Sequence, residues 1–199
     1  MRPVMRSVMR SVTRPAMRRV LIAASAFACA ALAPARADDF RLFSSRGLPG
    51  SAGIEVRVSH PAHWRKVQLT DEGALAELRG RHGRVTGILQ IGRGRQRQDM
   101  EVLCQPERAR TMLRNIGAQE QDARVTEATA SRREGRPSFE VSYERNAAPE
   151  FMRVHSAIVC LKDTQLVVSC GAAAETKAAL GELEPVCRRV LESLAIVEE

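Results

Sequence analysis

The feature that most constrains the fold is a pair of apolar segments separated by two polar residues. Residues 152–161 and 164–170 flank Lys162-Asp163 and have apolar side chains at both odd and even positions rather than only at alternate ones. Strands that are apolar on both sides are typical of the centre of a sheet whose two faces are both covered. The sequence therefore predicts an antiparallel hairpin at the centre of a β-sheet.

Residues on either side of this hairpin predict further strands and two helices. Residues 138–145 alternate between apolar and polar side chains, which is typical of a strand with one dry and one wet face. Apolar side chains recur at helical spacing in 107–116 and in 180–194, where Gly181 and Pro185 indicate a kink or two short helices in sequence. The other segments with strand character are 40–43, 54–58, 66–69, 74–78, 85–91 and 125–132.

Four of the five cysteines follow residue 37, and the predicted hairpin restricts how they pair. A two-residue turn sets Cys160 opposite Gln165 and Cys170 opposite His155, so the two cysteine side chains point to opposite faces of the sheet. Each is then expected to bond a cysteine outside the hairpin. The predicted disulfide bonds are Cys170–Cys187 and Cys104–Cys160, with the swapped pairing as the alternative.

Cysteines on opposite faces of a sheet imply partners on opposite faces. Cys187 belongs to the predicted C-terminal helix, and Cys104 precedes the helix at 107–116. The predicted fold class is therefore α+β, an antiparallel β-sheet flanked by helices on both faces and stabilised by two disulfide bonds. A zinc site is the alternative, but no pair of cysteines has C-x-x-C spacing.

The first 37 residues have the layout of a cleaved secretory signal peptide. A basic stretch runs to Arg19, an apolar run follows at 20–32, and Ala35 and Ala37 supply small residues before a cleavage site. We expect cleavage after Ala37, then a flexible N-terminal arm at 38–53 and a single α+β domain at 54–197. The expected location is the bacterial periplasm or the outside of the cell, where disulfide bonds persist.

The excess of positive charge lies in this N-terminal segment. Seven of the 31 basic residues and none of the 23 acidic residues precede residue 38, so the remainder carries 24 basic and 23 acidic side chains. A nearly neutral domain excludes a nucleic-acid partner held by bulk charge. No apolar run reaches the roughly 20 residues of a membrane-spanning helix, so we expect no membrane insertion after signal cleavage.

The strand at 54–58 leads into a Pro-x-x-Trp turn at Pro61 and Trp64, and a helix, two hairpins and a closing helix follow. This order of elements, over residues 50–197, resembles the PsbP-like fold, which the photosystem accessory protein shares with bacterial envelope proteins such as DcrB. The resemblance implies a structural role for the turn and no catalytic residue. It also implies a non-catalytic binding, assembly or accessory function.

Arginines form the strongest candidate binding surface. If the strand at 85–91 pairs with 74–78, the basic residues of 79–84 lie at one end of this pair and 93–97 at the other. Guanidinium groups suit an acidic protein surface or a phosphate-bearing envelope polymer. Solvated loops are the alternative interpretation. The candidate binding residues are Arg93, Arg95 and Arg97.

Two histidines are weak candidates for metal ligands. His60 and His63 lie three positions apart and next to Trp64, but a turn does not fix that spacing and no third ligand is close in sequence. A structural turn with exposed imidazoles is the favoured interpretation. We therefore expect no metal and no cofactor.

Catalytic chemistry has little support in the sequence. No Gly-x-Ser-x-Gly motif indicates a nucleophile. Glu140 and Glu144 share one side of a strand about 13 Å apart, too far for paired glycosidase carboxylates. We expect Tyr143 and His155 to make buried hydrogen bonds, and we expect no catalytic residue.

The predicted function is non-catalytic binding in the periplasm, with another envelope protein as the partner. Neutralisation of a toxin by an immunity protein is one specific form of this function. A hydrolase of envelope polymers and a carrier of a small ligand or metal are the alternatives.

Overall fold

The computed structural model contains the predicted hairpin and extends the sheet on both sides of it. The structure describes residues 39–51, 53–69, 73–95, 105, 123–147, 149–162 and 164–198. Its strands are β1 (Phe40–Ser44), β2 (Ile54–Pro61), β3 (Arg65–Lys66), β4 (Ala74–His82), β5 (Val85–Arg95), β6 (Ala123–Arg133), β7 (Arg136–Ala147), β8 (Glu150–Cys160), β9 (Thr164–Ala174) and β10 (Ala195–Glu198). A 3₁₀-helix, η1 (Ala178–Leu183), leads directly into a short α-helix, α1 (Glu184–Glu192).

The strands form two antiparallel sheets. The main sheet has seven strands in the order β3-β4-β5-β9-β8-β7-β6, and a second sheet has the order β1-β2-β10. The hairpin of β8 and β9 has the predicted register, with His155 opposite Cys170 and Cys160 opposite Gln165. The prediction of an apolar hairpin at the centre of an antiparallel sheet is therefore confirmed.

Each face of the main sheet carries its own apolar cluster. On one face, β4, β5, β8 and β9 pack against η1 and α1, and Leu89, Leu180 and Val190 are almost completely buried there. The opposite face carries a smaller cluster around Phe139 and Ile158. Successive side chains of β8 and β9 contribute to both clusters, which explains why this hairpin is apolar at successive positions.

Both helical segments of the described residues lie on one face of the main sheet. Most of the described residues belong to strands, so the fold is mostly β. The prediction of helices on both faces is not borne out. The segment predicted as the second helix, 107–116, lies outside the described residues. The stripe at 180–194 forms the two predicted short helices, with Pro185 in the first turn of α1. No helix in the described part of the chain combines the length and apolar character needed to cross a membrane.

One disulfide bond is complete within the described residues. It joins Cys170 of β9 to Cys187 of α1, as predicted, and both residues are buried. Cys160 is also disulfide-bonded, but its partner is not among the described residues. The predicted bond Cys170–Cys187 is therefore confirmed, and the pairing of Cys104 with Cys160 stays a prediction.

Trp64 fixes the turn after β2 onto the main sheet. Its indole lies over Gly80 of β4 and Gly87 of β5, which are directly opposite each other. A β-carbon at either glycine would fall well inside contact distance of the indole ring. The two glycines therefore leave a trough that Trp64 fills, and only 2% of its surface stays exposed. This packing accounts for the Pro-x-x-Trp turn, in which the Trp64 amide donates to the Pro61 carbonyl at 3.0 Å.

The segment predicted as an N-terminal arm contains β1, which pairs with β2. Ser45, which follows β1, is fully buried, and its hydroxyl accepts a hydrogen bond of 2.8 Å from the Val56 amide. Glu55 lies beside these contacts. Its carboxylate accepts two hydrogen bonds from Arg57, at 2.9 and 2.8 Å, and one from the Ser44 hydroxyl at 2.6 Å.

Glu55 makes this part of the fold sensitive to acid. The hydrogen bonds from Arg57 and Ser44 lower the pKa of Glu55 from 4.5 to about 2. Because the folded-state pKa is depressed, the stabilisation is present above pH 4.5 and is lost as the pH falls toward 2.

We expect Glu55→Gln to lower the urea midpoint of unfolding at pH 7 and to have much less effect at pH 2.5, because the wild type has lost most of this stabilisation there. Circular dichroism during urea titration at both pH values measures this. Glu127→Gln, at an exposed position of β6, serves as the control. An equal loss at both pH values would assign the effect of Glu55 to packing rather than to ionisation.

Candidate functional site

A group of polar side chains lies on the helix-covered face of the main sheet, beside α1. Ser142 of β7 lies directly opposite His155 of β8, and Glu144 lies opposite Arg153. Glu184, the first residue of α1, lies within hydrogen-bond distance of His155 and close to Arg153. These five residues, Ser142, Glu144, Arg153, His155 and Glu184, are called the polar shelf below.

The polar shelf is a connected network. Ser142 Oγ lies 2.8 Å from His155 Nδ1, and Glu184 Oε2 lies 2.9 Å from His155 Nε2. Arg153 Nη1 lies 3.5 Å from the same Glu184 oxygen, and Arg153 Nη2 lies 2.6 Å from Glu144 Oε1. The hydrogen bond between Arg153 and Glu144 lowers the pKa of Glu144 and raises the pKa of Arg153. Both ring nitrogens of His155 therefore have a protein partner.

The order of serine, histidine and carboxylate resembles that of a hydrolase triad, and its carboxylate, Glu184, belongs to α1. Glu140 and Glu144 lie on the same side of β7 as Ser142, each about 7 Å away along the strand. Both carboxylates are ion-paired, Glu144 with Arg153 and Glu140 with Arg133. As far as the described residues form it, the depression beside Arg153 and His155 is narrow and is lined by β8, β9, η1 and α1.

The polar shelf instead positions α1. Glu184 joins the beginning of this helix to β8, and a carboxylate there also suits the positive end of the helix dipole. At the other end, Arg133 of β6 donates a hydrogen bond of 2.8 Å to the Leu191 carbonyl. Both ends of α1 are thus bonded to the main sheet by side chains.

Arg93, one of the predicted binding residues, makes structural contacts. Its Nη1 donates to the Ser51 carbonyl at 2.7 Å and to the Gly50 carbonyl at 3.3 Å, and its Nε donates to Thr164 Oγ1 at 3.3 Å. Arg93 therefore connects the turn before β2 to the beginning of β9. The side chain of Arg95 and the whole of Arg97 lie outside the described residues, so binding by these arginines stays a prediction.

His60 and His63 are the weak metal candidates. In each imidazole, one ring nitrogen is hydrogen-bonded to a backbone carbonyl. His60 Nδ1 donates to Pro61 at 2.9 Å, and His63 Nε2 donates to Arg81 at 3.1 Å. His60 is buried, and this burial lowers the pKa of its imidazole. Among the described residues, no three His, Cys, Asp or Glu side chains form a group that could hold a metal ion. His60 lies at the end of β2 and His63 lies in the turn that carries Trp64. The expectation of exposed imidazoles is therefore wrong for His60 and confirmed for His63.

Four exposed arginines lie at one end of the β4–β5 pair. Arg65 of β3 lies directly opposite Arg79 of β4, Arg81 follows on the same face, and Arg84 lies in the turn before β5. Arg65, Arg79, Arg81 and Arg84 are called the basic corner below. Arg79 is ion-paired with Glu77, whereas the other three form no ion pair with any described residue.

Most of the polar shelf was not among the predicted site residues. The hydrogen bonding predicted for His155 is confirmed, although this residue is half-buried rather than buried, and its partners Ser142 and Glu184 were not identified from the sequence. The alternation of 138–145 does place Ser142 on the wet side of its strand. Predicting its contact with His155 also requires the register of β7 on β8, and the alternation of 138–145 does not determine that register.

Comparison with known proteins identifies the fold. No family model and no curated protein sequence matches the chain. The structure of cyanobacterial PsbP (CyanoP) from Synechocystis sp. PCC 6803 matches with a TM-score of 0.53 at 11% identity, covering 79% of this chain and 92% of that one. LpqN of Mycobacterium tuberculosis, described as involved in cell envelope biogenesis, matches with a TM-score of 0.52 at 13% identity, covering 80% and 92%. These similarities confirm the PsbP-like fold predicted from the order of elements.

Proposed function

We propose that this protein is a non-catalytic binding or accessory protein of the bacterial periplasm and that its partner is another envelope protein. The observation that carries this proposal is the polar shelf. Its histidine bonds the serine and the carboxylate and so helps to hold α1 on the main sheet, and this use of the three side chains supports a binding role rather than a catalytic one. LpqN, which has a similar fold, is described as involved in cell envelope biogenesis, and this description supports the proposal.

The proposed location rests on the disulfide bond and on the N-terminal sequence. A buried bond such as Cys170–Cys187 is typical of proteins that fold in an oxidising compartment. We propose that residues 1–37 are removed on export, so that the mature chain begins at Asp38, two residues before β1. N-terminal sequencing of the exported protein tests this cleavage.

Arg93, Arg95 and Arg97 remain proposed binding residues. Because Arg93 also holds the turn before β2, Arg93→Ser would change the structure as well as the surface. The double variant Arg95→Ser, Arg97→Ser is therefore the better test of partner binding, with an unchanged melting temperature as the condition for interpreting it.

We expect mild cross-linking of the tagged full chain in its own cells, followed by purification and mass spectrometry, to recover one envelope protein in a near-stoichiometric amount. A tagged exported protein of similar size and charge is the control for non-specific capture. The hydrolase alternative would replace this proposal if two results came together. The first is that no partner is recovered. The second is that the protein hydrolyses esters and that Ser142→Ala abolishes this activity while Glu127→Gln preserves it.

We also propose that the second disulfide bond is Cys104–Cys160. Cys160 belongs to the cluster around Phe139 and Ile158, so this bond would bring the chain before the predicted helix at 107–116 to the second face of the main sheet. Peptide mapping of the unreduced protein should yield one linked pair that contains both cysteines. A free thiol at Cys104 would contradict the pairing.

A further inference from the structure

We propose that the basic corner is a docking surface and that its partner is an acidic protein segment in extended conformation, with carboxylates at alternate positions. This inference rests on the proposed binding function, and it adds where the partner binds and which side chains it presents. The argument starts from four arginines on one small surface, Arg65, Arg79, Arg81 and Arg84.

The basic corner contains a pair of facing arginines, and Glu77 pairs with only one of them, Arg79. Arg65 and Arg79 are directly opposite each other on neighbouring antiparallel strands, where the β-carbons of facing residues lie about 5 Å apart. Like charges in this position destabilise a sheet. A carboxylate bound between the two guanidinium groups would relieve their repulsion, so the pair favours an anionic ligand.

The surface is also rigid. Arg65 follows Trp64 directly, and the Trp64 indole is packed over Gly80, which lies between Arg79 and Arg81 on β4. The ring of His63 is bonded to the Arg81 carbonyl at 3.1 Å. The backbone that carries these arginines is therefore fixed before a partner binds, which lowers the entropic cost of binding.

The spacing of the arginines fits an extended acidic chain. Arg79 and Arg81 point to the same side of β4 and lie about 7 Å apart along the strand. Alternate residues of an extended partner have the same repeat, so successive carboxylates could each face one guanidinium group.

Two observations favour carboxylates on a protein over a phosphate polymer. The face already binds a carboxylate, since Glu77 is held there by Arg79 and by Gln90 Nε2 at 2.9 Å. The fixed negative charge of Glu77 also opposes a densely charged polyanion more than it opposes spaced carboxylates. Three of the four arginines, Arg65, Arg79 and Arg81, stand on the strands of a sheet rather than around a phosphate-binding loop.

The test measures fluorescence anisotropy of a labelled ten-residue peptide of alternating glutamate and threonine, titrated with the full chain at low salt. The test variant is Arg65→Glu, Arg81→Glu, and the control is Arg132→Glu, Lys162→Glu, which changes the net charge equally at exposed positions elsewhere. We expect the test variant to weaken binding about tenfold or more and the control about twofold or less. We also expect the melting temperature of the test variant to be no lower than that of the wild type, because Arg65→Glu converts the like-charged pair with Arg79 into an attractive one.

Other outcomes would overturn the inference. Equal weakening by both variants would show attraction to net charge alone, and tighter binding of linear polyphosphate than of the peptide would assign the basic corner to a phosphate polymer. If the cross-linking experiment recovers a partner whose binding is unaffected by Arg65→Glu, Arg81→Glu, the proposed function stands and this docking surface is wrong. If it recovers no partner while the peptide still binds at the basic corner, the proposed function fails separately.

Discussion

Trp64→Ala should lower the free energy of unfolding by about 3–5 kcal/mol, the range for removing a large buried aromatic side chain from a core. The indole fills the trough over Gly80 and Gly87, and neither glycine has a side chain that could move into the space. The surrounding strands are hydrogen-bonded to their neighbours, so the cavity cannot collapse. Urea unfolding followed by circular dichroism measures the loss.

The same packing predicts a coupling between Trp64 and Gly87. Gly87→Ala should destabilise the wild type by about 1–3 kcal/mol, because the new methyl group overlaps the indole, and should cost much less in the Trp64→Ala background. Gly181→Ala is the matched control, since a β-carbon at Gly181 in η1 meets no atom within 4 Å. An equal cost of Gly87→Ala in both backgrounds would mean that the glycine is required by the backbone and not by Trp64.

Local signals were sufficient to predict the centre of the fold. The two-residue separation between the apolar segments determined the register of β8 on β9, and with it the faces to which Cys160 and Cys170 point. That assignment, combined with the helical stripe at 180–194, predicted the bond Cys170–Cys187. These inferences succeeded because hairpin register depends on turn length and on strict alternation, and both can be read from the sequence.

Features that depend on distant parts of the chain were predicted less well. The strand predicted at 66–69 is observed as β3, the two residues Arg65–Lys66, since position in the sheet and not apolar content decides where pairing ends. The glycines under Trp64 gave no signal of their own, because each one resembles an ordinary turn or bulge residue in the sequence.

The candidate site shows the same limit. Ser142, His155 and Glu184 come from two strands and a helix, and their meeting requires both the register of β7 and the packing of α1 on the sheet. Arg93 was interpreted as a surface residue because nothing in its own neighbourhood indicates that Ser51 accepts its hydrogen bond. A single sequence identifies the residue types of such contacts but not their partners.

Replacing both Cys170 and Cys187 with alanine should lower the free energy of unfolding by about 3 kcal/mol. The bond closes a loop whose ends are 17 residues apart, and its removal increases the conformational entropy of the unfolded chain. Both sulfurs are buried between β9 and α1, so the substitution also removes apolar contacts at this interface. The loss should appear as a lower urea midpoint and as faster amide hydrogen exchange in α1 than in β8.

The double variant is more informative than a reducing agent, because reduction would also open the bond of Cys160. His155→Leu in the same background separates the contributions that attach α1, since it removes the ring nitrogen that bonds Glu184 without changing the apolar stripe. If the bond and the polar shelf both hold α1, the two changes together should release this helix and leave β8 and β9 protected from exchange. A loss below about 1 kcal/mol in the cysteine variant would instead mean that Leu180, Leu183 and Val190 hold the helix by apolar packing alone.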